Sequence, residues 1–194
     1  MEREARINLL ARVAREAAGR GMPVDPTRPV SILSLAAMSY GSKPAEDATV
    51  PTGFDPAAVA LFEAIVEGAY LVATADGVFD ADERRAFEHV VVAACGGAVE
   101  PNHISDLVSD LKDQLDEDGL GRRVEMVAKA VSRPEQAVEI LRIAALLANS
   151  SDEVSTVERD VLGKLATAMR LGQGAVGEAL DDVHRAIADA GTRK

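Results

Sequence analysis

The sequence has no tryptophan, one cysteine and few aromatic residues, 3% in all. A hydrophobic fraction of 47% over 194 residues is enough for one domain with a sizeable core. That core has to be built from Ala, Val, Leu and Ile. The lone Cys95 excludes an intrachain disulfide and reads as a small core residue, so nothing asks for an oxidising compartment. Apolar runs such as Val90 to Cys95 and Ile143 to Ala148 stop far short of the roughly twenty residues a bilayer-spanning helix needs. The opening stretch interleaves Arg3, Arg6, Arg12 and Arg15 with Glu2, Glu4 and Glu16, which fits neither a signal peptide nor an acid-poor transit peptide. These absences together point to a cytoplasmic protein.

Positive charge is also scarce. Lys and Arg number 21 against 32 Asp and Glu, a net charge of -11, which argues against sequence-independent binding to a nucleic-acid backbone. Cations or basic protein partners are the natural ligands of such a surface. Catalytic signatures are missing as well. There is no Gly-x-Ser-x-Gly elbow, no phosphate-binding glycine loop, and His89, His103 and His184 stand singly without metal-ligand spacing. Cys95 lies in an apolar helix that suppresses its thiolate. The expectation is a protein without enzymatic activity.

What the chain does contain is helical periodicity, with no sustained alternation of period two, so the fold class is all-α. An amphipathic helix over 3–18 carries Leu9, Leu10, Val13, Ala14 and Ala17 on one face. Residues 19–54 are punctuated by prolines and form a long connection in which only Val30 to Tyr40 is apolar enough for a short helix. Residues 1–54 thus form an N-terminal helix and connection ahead of a helical domain over 55–194. Asp55-Pro56 opens a helix running to about Ala75. Further helices are expected over 81–95, from Pro101 to the LDEDG run ending at Gly119, over 120–131, from Pro134, over 156–171 and over 175–189. Ser132 and Glu135 have capping-box spacing ahead of the Pro134 helix.

Residues 71–87, LVATADGVFDADERRAF, organise the rest. An apolar helix ends near Ala75, Gly77 takes a positive φ at the exit, Phe79 turns inward, and Asp80-x-x-Glu83 forms a capping box for the next helix. The device returns at 146–162, LLANSSDEVSTVERDVL, with Val154 turned inward and Ser155-x-x-Glu158 as its capping box. Leu71/Leu146, Ala73/Ala148, Glu83/Glu158 and Arg84/Arg159 are identical at that offset, which marks an internal duplication. Asp152 falls where the second turn calls for a positive φ, a local weak point.

The acidic cluster Asp76, Asp80, Asp82 and Glu83 imitates the back half of a calcium loop, but Val72 and Thr74 occupy the first and third ligand places. It is not an EF-hand. As caps and first-turn acids these residues favour the positive end of a helix dipole without any metal.

An apolar helix ending in A-x-A-D-G, followed by an acidic turn and Glu and repeated at this distance, resembles the TerB-like tellurite-resistance family, as does the Pro-Glu-Gln-Ala start at Pro134 to Ala137. The resemblance covers roughly Asp55 to Asp189. One departure is Ser151-Asp152, where the family has Asp-Gly. The resemblance implies a bundle of seven to eight helices with pseudo-two-fold duplication, a role in stress response, and Ca2+ or another divalent cation at the acidic turns. The candidate ligands are Asp76, Asp80, Asp82 and Glu83 in the first turn and Asp152, Glu153 and Glu158 in the second. The alternative is a metal-free helical adaptor that docks a protein partner through an apolar groove or acidic face.

Overall fold

A computed structural model describes residues 3–15, 31–42, 55–148 and 154–192. The described residues form eight helices and no strand: α1 (Arg3–Arg15), α2 (Ile32–Gly41), α3 (Pro56–Ala73), α4 (Ala81–Ala94), α5 (Pro101–Ala130), α6 (Pro134–Ala148), α7 (Thr156–Ala168) and α8 (Ala175–Thr192). Expected Ala17, Asp152 and Glu153 lie outside the described residues.

α3 and α6 form the centre and pack most extensively on each other. Each is the first helix of one copy of the repeat, so the duplication sets two core helices face to face. Gly68 marks their close approach, since a methyl group there would meet Ile140 Cγ2 at 2.8 Å. α2, α5 and α7 also pack on α3, which is buried from Leu61 to Val72 except for Glu63. A helix apolar on all sides is what such enclosure requires. By length and composition α3 would also span a bilayer, a property that separate apolar runs do not reveal; here it is mostly buried inside the protein.

The helix boundaries have local causes. Asp55 caps α3 by accepting from Ala57 N, with Pro56 at the first helical position. Asp80 and Ser155 cap α4 and α7, and in both the third helical residue, Glu83 or Glu158, reaches back to the cap's own backbone. The two boxes fall 75 residues apart (155 − 80), in the register expected of a duplication.

Of two further boundaries, one follows the sequence expectation and one differs. The LDEDG run closes a helix as expected: the non-helical backbone of Gly119 (φ 74°, ψ 161°) kinks α5 into a first half before it and a second half over 120–130. Ser132 and Glu135, by contrast, do not make a capping box. Gln136 Oε1 instead accepts from Ser132 N, Arg133 N and Ser132 Oγ. Since α6 begins at Pro134, Gln136 is its third residue and takes the role by position, one place later than the spacing suggests.

The N-terminal segment is integral to the core. Leu10, Ala11, Val13 and Ala14 of α1 and Leu33, Ala36 and Ala37 of α2 join the same hydrophobic cluster as the later helices. α1 packs chiefly on α4 and α8 and also on α6. Arg142 of α6 donates to the carbonyls of Val13 (3.3 Å) and Ala14 (3.4 Å) in the last turn of α1. Arg12 in turn donates to the Ala190 carbonyl in the last turn of α8. Positive charge at a helix C-terminus is favourable, so these cross-helix caps tie the first and last helices to the bundle.

Candidate functional site

The first turn is tighter than its sequence suggests. α3 ends at Ala73, and Thr74 caps it while its hydroxyl donates to the Tyr70 carbonyl at 3.0 Å. Gly77 has φ 80°, as the exit requires, and Asp76 Oδ1 accepts from Val78 N at 3.0 Å, folding the chain back. Phe79 turns inward and meets Tyr70 and Phe87 edge to face, with centroids 5.4 and 6.0 Å away. Four carboxylates are thereby placed within eight residues, all exposed.

Each of those carboxylates is already engaged. Asp80 Oδ1 accepts from the Asp82 and Glu83 amides at 2.7 and 2.9 Å. Glu83 Oε2 accepts from Asp80 N at 3.0 Å, and Asp82 pairs with Arg85. In the second turn Glu158 Oε2 accepts from Ser155 N at 2.7 Å. Asp152 and Glu153, the other expected ligands, lie outside the described residues. A calcium ion needs six to eight oxygens. Among the described residues no group of three or more His, Cys, Asp or Glu side chains is arranged to hold a metal ion. The described donor set therefore does not fit the divalent site that the resemblance implies.

The structure does bring the two turns to one place. A cavity of about 320 Å³ is bordered by Asp76 and Glu83 from the first turn, Ser155 and Glu158 from the second, and Arg6 of α1. Its floor is apolar, made by Ile7, Leu10, Phe79, Phe87, Val90 and Leu147. Asp80 and Asp82 are not among its lining residues. Sequence reasoning found the acidic wall through the capping pattern but missed the contribution of α1, because no local signal says which surface a separate amphipathic helix will cover.

Cys95 is buried, and burial pushes its thiol up to about 12. His89, His103 and His184 are exposed on three different helices. Arg84 joins α4 to α5, pairing with Glu88 at 2.7 Å and donating to Ser109 Oγ at 2.8 Å and the Ser105 carbonyl at 3.0 Å.

The architecture defines a class, an all-helical bundle built from two copies of a helix, a capped turn and a helix. The family model of tellurite resistance protein TerB matches residues 62–181, and the chain belongs to this family. No curated protein and no solved structure matches it significantly.

Proposed function

We propose that this TerB-family chain is a non-enzymatic, cytoplasmic stress-response module that works as a metal-free adaptor. It receives a basic, partly apolar group of a protein partner in the cavity between its two turns. One observation carries this reading: the cavity sets Asp76, Glu83 and Glu158 above an apolar floor, with a volume of about 320 Å³, in the range of cavities that bind small ligands. Carboxylates over aromatic and aliphatic surface complement an arginine or lysine side chain with its alkyl stem.

NMR titration with an Arg- and Leu-rich peptide tests it. Shifts should concentrate around Asp76, Glu83 and Glu158 and be lost in the Glu83→Gln, Glu158→Gln double variant. Gln also serves at the third position of a capping box, so the variant removes charge while keeping both caps. Unaltered binding by that variant would remove the reading.

Binding of a divalent cation is the competing reading that the resemblance brings, and it would need oxygen donors beyond Asp76, Glu83 and Glu158 at the cavity. Thermal unfolding with millimolar calcium at constant ionic strength separates the two. The adaptor reading expects no change in Tm. A rise that Asp76→Asn abolishes would support the cation, since a bound ligand stabilises the folded state in proportion to occupancy.

A further inference from the structure

We infer that α1 is the resident occupant of a helix-binding groove formed by α4, α6 and α8, and that a basic amphipathic helix of a partner protein takes its place. This rests on the adaptor reading above and specifies its partner. The family match begins at residue 62, so α1 lies outside it, whereas α4 and α6 lie wholly within it.

The groove reads a helix at two levels. At one end, Arg142 and Glu139 are 5% and 1% exposed. Glu139 holds the guanidinium through two hydrogen bonds of 2.8 and 3.2 Å, leaving Arg142 aimed at the last-turn carbonyls of α1. Carbonyls at a helix end are a backbone feature, so this receptor is indifferent to sequence. The neighbouring positions on α1 are Ala11 and Ala14, which let the helix sit close.

At the other end α1 is packed on the core through buried Leu10 but borders open space. Ile7 and Leu10 border the 320 Å³ cavity without filling it, and Arg6 is the basic residue of α1 on the same rim as Asp76, Glu83 and Glu158. A helix with larger apolar side chains at the Ile7 and Leu10 positions and a basic residue at the Arg6 position would gain contacts that α1 leaves unmade. Charge complementarity thus selects a basic helix, and the unfilled volume makes α1 replaceable by a better-fitting one.

A fluorescent peptide with the sequence of residues 1–15 carrying Ile7→Phe and Leu10→Phe, titrated into the full chain, tests the exchange. Saturable binding is expected, and hydrogen exchange should show that amides of α1 lose protection while those of α6 keep it. In the chain itself Leu10→Phe should raise Tm by filling the cavity and weaken the peptide about tenfold. Binding with α1 still protected would overturn the exchange while leaving the adaptor reading in place. Failure of both this peptide and the Arg- and Leu-rich peptide to bind would overturn both. If Leu10→Phe does not fold, the exchange data on the wild-type chain alone decide the matter.

Discussion

Gly68 and Gly163 should respond in opposite directions to the same substitution. Both sit inside helices, where Ala is favoured over Gly by about 1 kcal/mol. At Gly163 of α7 an added methyl meets nothing within 4 Å, so Gly163→Ala should stabilise by about that amount. At Gly68 the methyl meets Ile140 Cγ2 at 2.8 Å in the centre of the α3 and α6 crossing. Overpacking costs about 1–3 kcal/mol and outweighs the helical gain, so Gly68→Ala should lose up to about 2 kcal/mol. Urea denaturation midpoints of the two variants measure the difference. A third residue, Arg170, has φ 59°, immediately after the α7 cap Met169. Gly96 occupies the same place after the α4 cap Cys95, with φ 60°. Arg170 N donates to Thr167 O and Leu171 N to Ala166 O, the pair of bonds that closes a helix in a left-handed residue. Arg170→Gly should therefore raise the denaturation midpoint, by up to about 1 kcal/mol of stability. The sequence directs attention to Asp152 instead. The strain at Arg170 is hidden from it because the 75-residue alignment pairs Arg170 with Cys95, one place short of the glycine that has its conformation.

At the scale of helices, the apolar stripes were legible and the buried charges were not. Phe62, Ile65, Val90, Ile104, Leu162 and Leu180 are all buried as periodicity requires. Both capping boxes were equally visible, because a cap is a local device with fixed spacing. Glu67 is another matter. It lies on the most apolar helix, 6% exposed, and its partner Arg123 on α5 stands 56 residues away at 2.6 Å. Arg123 also pairs with Asp118 at 3.1 Å, so one guanidinium bridges the break at Gly119 and fixes the second half of α5 on α3. Such a pairing exists only once tertiary structure brings the helices together. Burial pushes the Glu67 carboxyl above its ordinary value, although Arg123 draws it down. A raised acid binds more protons when folded than unfolded, so its contribution to stability falls as pH rises from its ordinary value through the folded one. Glu67→Gln cannot ionise, and its stability relative to wild type should improve as pH rises across that window. Urea titrations at several pH values would show it; a difference independent of pH would mean that Arg123 compensates the burial fully.

Over the whole molecule, a net charge of -11 works against compaction. Raising monovalent salt from about 10 to 150 mM shortens the screening length from roughly 30 to 8 Å, so Tm should rise with salt. A fall would show that exposed pairs such as Lys112–Asp116 and Lys164–Asp160 outweigh the repulsion. The cross-helix caps at the two ends of the bundle have a consequence for how the chain is made. Val13 of α1 is held by a residue 129 positions later, and Arg12 by one 178 positions later. At roughly 5–20 residues per second of synthesis, α1 emerges some 6–26 seconds before Arg142 does. Through that interval α1 can meet α4, which is made earlier, but neither Arg142 nor α8, and closing so distant a contact is slow. The nascent chain therefore docks its first helix in stages, against α4 first and then against α6 and α8 as they complete the site.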